Sequence, residues 1–256
     1  MKTPNLIILV LAGLLITGAF PLKAQSVYVY NANGIKVYPK INTDPFPKAT
    51  LKLLTPDEAI RPGNNHFEYA VEAYGLKEQS PSAKTNNLAN SKGGQHIHFI
   101  VDNKPYQAKY EPSFEAQLEP ETHLVLAFLS RSFHESVKSK NAFVLKQYQL
   151  NNGKPVADIK KDPLLFYSRP KGTYSIENGD KVLLDFFLVN TKLRKNGHKV
   201  RVNLDGHSFT LDKWQPYLIE GLSIGDHRIE ITLIDAKGVP IPGPFNKSGT
   251  RTFTLK

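Results

Sequence analysis

The sequence predicts an all-β chain of two tandem immunoglobulin-like β-sandwich domains after a signal peptide. Three observations carry this. Beyond the first segment, strand-period alternation is common and helix-period patterning is scarce. Short apolar runs are separated by Gly, Asn, Asp and Pro turns at close spacing, as in sandwiches. The second half also repeats the apolar and turn positions of the first.

The N-terminal segment reads "MKTPNLIILVLAGLLITGAFPLKAQS". Lys2 forms a short basic head, Leu6 to Phe20 an apolar middle, and Ala24 a small closing residue. That is the layout of a secretory signal peptide over residues 1–24, with cleavage expected after Ala24 and a secreted or periplasmic product. The apolar stretch falls short of the ~20 residues a spanning helix needs, so no membrane span is expected in the mature chain. The 256 residues include no cysteine, which excludes disulfides, thiolate nucleophiles and thiolate metal sites. Lys plus Arg number 33 against 23 Asp plus Glu, a net charge of +10 that favours anionic partners. The basic residues form no concentrated stripe, and export also argues against nucleic acid.

Residues 25–46 read as an N-terminal hairpin and linker. In "SVYVYNANGIKVYPKI", Val27 and Val29 alternate with Tyr28 and Tyr30, "NANG" turns, and Ile35 and Val37 alternate on the return. The first sandwich is expected over 47–150, with "HFEYAVEAYGL", "HIHFIVD", "FEAQL" and "HLVLAFLSR" as strands and Lys77 to Gly94 as a surface loop. Residues 151–163 read as a linker. The second sandwich is expected over 164–256, with "DKVLLDFFLVN", "KVRVNLDG", "YLIEGL", "HRIEITLID" and "TRTFTLK".

The repeat aligns "GQHIHFIVDNKPY" with "GHKVRVNLDGHSF". Ile97, Phe99 and Val101 fall on Val200, Val202 and Leu204, and Asp102 falls on Asp205. After one inserted residue, Tyr110 falls on Trp214, Pro112 on Pro216 and His123 on His227. Upstream, Pro56 falls near Pro170.

The repeat assigns faces. Side chains alternate along a strand, so Ile97, Phe99 and Val101 point inward and His96 and His98 outward, where the second repeat has Lys199 and Arg201. Two readings of the pair stand side by side. One is a pair of exposed polar residues on a sheet face. The other is a chelate, because imidazoles two apart on a strand can reach one ion, with His134 or Glu135 as a third ligand. His123 and His227 hold matching turn-to-strand positions and read as structural hydrogen-bonding residues. Tyr110 and Trp214 read as packing residues, or alternatively as sugar-stacking platforms.

The segment "SRSFHESVKSKNAF" has no counterpart in the second half. It gathers Arg131, Ser132, His134, Glu135 and Lys138, either as an anion-binding surface beside His96 and His98 or as a polar connection. "KLRKNGHKVR" forms a second basic cluster at a hairpin tip. No G-x-S-x-G elbow is present, and no catalytic residue is assigned. The expected function is non-enzymatic binding of an anionic peptide, protein or saccharide of the cell envelope. The alternatives are metal binding through His96, His98 and His134, and a carbohydrate-binding module.

Two stretches carry a resemblance: "GGQHIHFIVDNKPY", with its G-x-H-x-H strand, and "GLSIGDHRIEITLIDAKGVPIPGPF", with its L-x-x-G-x-H-x-I strand and Pro-rich hairpin. Both resemble secreted bacterial immunoglobulin-like repeat proteins of uncharacterised function. "LAFLSRSFHESVKSKNAF" resembles those that carry the name phosphopeptide-binding protein. The resemblance implies an immunoglobulin-like fold and export, and little about activity. Fold analogy alone does not establish function.

Overall fold

Alternating apolar positions build antiparallel strands here, and turns with left-handed residues connect them. The computed structural model describes residues 28–41, 43–56, 60–150, 158–175 and 181–256. The segment read as a signal peptide lies outside the described residues, as do 151–157 of the connection.

The chain is all-β. In the first sandwich, one sheet has the order β3 (Thr50–Thr55), β4 (Gly63–Glu72), β7 (Ser113–Leu118). Its partner sheet has the order β6 (Gln107–Lys109), β5 (His96–Val101), β8 (Thr122–Ser130), β9 (Phe143–Gln149). Ile97 and Phe99 of β5 pack with Phe67 and Tyr69 of β4 and with Val125, Ala127 and Leu129 of β8.

The second sandwich repeats this order. One sheet holds β10 (Leu164–Arg169), β12 (Val182–Val189) and β15 (Tyr217–Glu220). The other holds β14 (His207–Leu211), β13 (Lys199–Leu204), β16 (Gly225–Ile234) and β17 (Arg251–Leu255), with β11 (Gly172–Tyr174) added in parallel at the edge. The repeat extends to detail. Thr55–Pro56 and Arg169–Pro170 are both cis. Asp102 and Asp205, both in the left-handed region, each cap the next strand and hold its histidine. The His123 Nδ1–Asp102 Oδ2 distance is 2.6 Å and the His227 Nδ1–Asp205 Oδ2 distance is 2.7 Å. Backbone N–H groups of Leu124 and Arg228 donate to the other carboxylate oxygen of each Asp. His123 and His227 are thus strand pins, as their repeated position indicates.

The N-terminal hairpin, β1 (Tyr30–Ala32) and β2 (Ile35–Pro39), extends the second sandwich. Val37 lies opposite Ile219 in the β2–β15 ladder and is fully buried, so the hairpin covers an edge that β15 would otherwise expose.

The two sandwiches meet face to face. The outer side of β5 and β8 contributes Ile100, Leu124, Leu126 and Phe128. The outer side of β10 and β12 contributes Leu164, Phe166, Phe187 and Val189. Phe128 and Phe187 stack across the seam at 4.6 Å. This corrects the expectation of a solvent-facing sheet surface at His96 and His98. They do point away from Ile97 and Phe99, but both are 0% exposed, and His98 faces Ser168 of the second sandwich.

Candidate metal centre

His96 and His98 are adjacent outward positions on β5, so strand pleating places both imidazoles on one side. His134 comes from the turn after β8. The His134 N–H donates to the Arg131 carbonyl and the Arg131 N–H to the Glu135 carbonyl, while buried Phe133 anchors the turn. His134 itself has φ +68°, a left-handed conformation uncommon for a residue other than glycine. That conformation is found with the ring turned back over β5.

Three ring nitrogens converge. His96 Nε2 lies 3.0 Å from His98 Nε2 and 3.2 Å from His134 Nδ1. All three lie within 4.8 Å of one another. Nitrogens bound tetrahedrally to one ion at about 2.0–2.1 Å sit about 3.3–3.4 Å apart, so the spacing suits a single ion.

The surroundings set the tautomers. The Nδ1–H of His96 donates to the Gly94 carbonyl at 2.8 Å, which leaves its Nε2 lone pair facing inward. Gly94 holds that carbonyl in place at φ +79°, and a Cβ there would lie 2.3 Å from the Lys77 carbonyl oxygen. His98 Nδ1 faces the Ser168 hydroxyl at 3.2 Å. Without an ion, the His98 Nε2–H donates to His96 and Ser168 donates to Nδ1. With an ion, Nδ1–H donates to Ser168 and Nε2 is free to ligate. Ser168 serves both states.

Burial keeps the rings neutral. Desolvation lowers His96 from 6.5 to about 4. Desolvation, and then the charges of His96, His134, Arg169 and Lys171, hold His98 well below its ordinary range. His134 is lowered by burial and then by Arg169, His96 and Lys171. Neutral imidazoles are the form that binds a metal. Tyr106 stacks on His98 at 3.6 Å with rings 8° from parallel, and its hydroxyl lies 3.3 Å from His134 Nδ1. Tyr110 lies 5.0 Å from His96 and makes a 2.6 Å hydrogen bond with Ser91. His134 and Tyr110 are half-buried, so the cluster sits near the rim of the seam.

The remaining expected site residues are structural. Arg131, Ser132 and Glu135 are buried, and Arg131 and Glu135 line a cavity of about 290 Å³. Arg131 donates to the carbonyls of Ser136 and Asp44, at 2.9 and 2.5 Å. It also pairs with Glu135 at 3.3 Å, and Lys40 of the hairpin reaches Glu135 at 3.0 Å. Both are ion pairs off hydrogen-bond alignment, since neither Glu135 oxygen makes a hydrogen bond among the described residues. Ser132 and Ser80 exchange hydrogen bonds through backbone and hydroxyl at 3.0 and 3.1 Å. Lys138 bonds buried Asp185 of β12 at 2.5 Å, tying the two sandwiches together. Of the segment 130–143, only His134 joins the cluster. The sequence reading missed Tyr106, Ser168, Arg169 and Lys171, which come from the β5–β6 turn and the end of β10.

Trp214 donates its indole N–H to the Phe186 carbonyl and meets Phe187 edge-on, so it packs half-buried against the core. It also lines a cavity of about 800 Å³ with Lys138, Lys140, Lys192, Arg194 and His198. A second group, Asp102, Glu121 and His123, has metal-like spacing, but Asp102 and His123 are occupied as the strand pin. Among the described residues, no helix is long and apolar enough to cross a membrane.

No family model and no curated protein sequence matches the chain. Solved structures match weakly. Fibronectin(III)-like modules of Clostridium thermocellum CbhA match 80% of this chain and 93% of theirs, at 10% identity and TM-score 0.25. The Bacteroides ovatus mixed-linkage glucan protein SGBP-B matches 81% of this chain at 15% identity and TM-score 0.22, and the chain spans 47% of it. A Ca²⁺-stabilised ice-binding adhesin of an Antarctic bacterium matches 87% of this chain at 8% identity and TM-score 0.20, and the chain spans 56% of it. Scores this low leave the fold resting on the sheet orders themselves: two tandem immunoglobulin-like β-sandwiches, packed face to face with three histidines near the rim of the seam.

Proposed function

We propose that this chain is an exported, non-enzymatic metal-binding protein that holds one zinc- or copper-class ion through His96, His98 and His134. The convergence of three neutral imidazole nitrogens, two of the contacts at 3.0 and 3.2 Å, carries the reading. Burying three imidazoles against one another has a desolvation cost that a shared ion would offset. Three imidazole ligands suit zinc or copper and leave the fourth position open. The signal-like segment at residues 1–24 supports export.

Protein purified without a polyhistidine tag, dialysed and analysed for metal is expected to take up one equivalent of zinc or copper. His96→Ala and His134→Ala should each abolish uptake. Wild-type protein that takes up neither ion and shows no thermal shift with either would remove the reading.

A second reading keeps an anionic partner but moves it away from Arg131. The cavity lined by Lys140, Lys192 and Arg194 supports it. Charge reversal at Lys192 and Arg194 together should weaken retention on a polyanionic saccharide matrix, and unchanged retention would count against it.

A further inference from the structure

A tri-imidazole site of this kind is short of negative charge. Three neutral imidazoles contribute none. Among the described residues, no carboxylate oxygen joins the three nitrogens within 4.8 Å. Two cations stand against Tyr106 instead. The Lys171 ammonium lies 4.2 Å and the Arg169 guanidinium 5.5 Å from the centre of the Tyr106 ring, which stacks on His98.

Each cation is held in place. Lys171 Nζ donates to the Tyr106 carbonyl at 2.8 Å. Arg169 is 7% exposed, and its Nη1 donates to the Lys171 carbonyl at 2.7 Å. Arg169 Nε is buried and has no hydrogen-bond partner among the described residues. A dication added here would sit in a poorly solvated place beside two positive charges with no counter-charge.

Tyr106 does not supply that charge as a phenolate ligand. Its ring is nearly parallel to His98 at 3.6 Å, so an ion in the His98 plane stands too far from the phenol oxygen for a bond of about 2 Å. The Tyr106 hydroxyl, 3.3 Å from His134 Nδ1, is a hydrogen-bond donor at the edge of the open position.

We propose that the site binds its metal together with a small oxyanion of carboxylate or carbonate size. The anion occupies the fourth coordination position, with Arg169 and Lys171 as counter-charges and the Tyr106 hydroxyl as a donor. An arginine fork suits a planar oxyanion. This rests on the tri-imidazole reading above.

The test uses tag-free full-length mature protein loaded with one equivalent of Cu²⁺ or Co²⁺. Acetate, bicarbonate and azide are titrated separately at constant ionic strength set with perchlorate, following the visible metal bands. The expected result is a saturable change of the bands. Lys171→Met, an exposed substitution, or Arg169→Gln should weaken the anion response about tenfold. A drop in either variant supports the proposal. A metal-loaded wild type whose bands do not respond to any of the three anions overturns it. So does a response of equal affinity in wild type and both variants. Failure of the underlying reading is distinct, because no metal would be taken up before any anion is added.

Discussion

The imidazole of His98 and the hydroxyl of Ser168 face each other at 3.2 Å across the seam between the two sandwiches. The three histidines belong to the first sandwich, but the hydroxyl that holds the His98 ring from behind belongs to the second. Outer-shell partners of this kind tune metal affinity by about 10–100-fold. Ser168→Ala should therefore lower zinc or copper affinity by about tenfold, with the fold retained because a small side chain replaces a small one. Competition titration with a chromophoric chelator measures this. Unchanged affinity would show that Ser168 does not orient the ring.

His98→Leu replaces a fully buried ring with an apolar side chain of similar bulk. In the metal-free protein the change should be mild. With metal present at about 100 times its dissociation constant, wild type should gain about 2.7 kcal/mol that the variant cannot. Thermal melts with and without a chelator read the difference. Wild type should lose its metal-dependent rise in Tm on chelation, and His98→Leu should show no such rise. An equal rise in both would exclude His98 as a ligand.

The metal-free protein should lose stability as pH falls below about 6.5. His96 is depressed from 6.5 to about 4, and His98 and His134 are also lowered, all first by burial. The unfolded chain then binds more protons than the folded chain, so unfolding free energy rises with pH through this window. The contribution is complete above 6.5 and is lost as pH falls toward 4. Each ring contributes a slope of up to about 1.4 kcal/mol per pH unit. Urea unfolding at pH 7.0, 6.0 and 5.0 should show the decline in wild type and a flatter profile in a variant with His98→Leu and His134→Gly. Parallel profiles would contradict the neutral, buried state of the rings.

The strand alternation of β5 was legible in the sequence, but what covers its outer face was not. Ile97 and Phe99 point into the first core, and His96 and His98 point the other way. A further signal was present in the same strands. Ile100 of β5 and Leu124, Leu126 and Phe128 of β8 are apolar on the outward side, whereas the matching face of β16 carries Arg228 and Glu230. Apolar residues on both faces of a strand mark a covered sheet. The histidines therefore occupy a covered face, not a wet one. Ser168, Arg169 and Lys171 could not be read as site residues, because only the docking of two distant segments brings them to His98. The hairpin was legible as a hairpin. Its pairing with β15, about 180 residues away, depends on the open edge of the second sandwich.

Arg131→Ala separates a binding role for the 131–138 segment from a structural one. Arg131 is 3% exposed, and its guanidinium holds the Asp44 and Ser136 carbonyls and the Glu135 carboxylate. The substitution leaves Glu135, itself 0% exposed, with Lys40 as its remaining ion-pair partner among those described. Removing one member of a buried charge cluster costs about 3 kcal/mol or more, because the remaining charge stays desolvated. Arg131→Ala should therefore lower the urea midpoint markedly. Metal uptake per folded molecule should stay at one equivalent, because Arg131 does not ligate. Arg131→Met, which keeps the apolar contact with Phe46 but not the charge, should be destabilised to a similar degree if the ion pair is the cause. Stability unchanged in both variants, with lost binding of an anionic peptide, would return this segment to the role of a ligand surface.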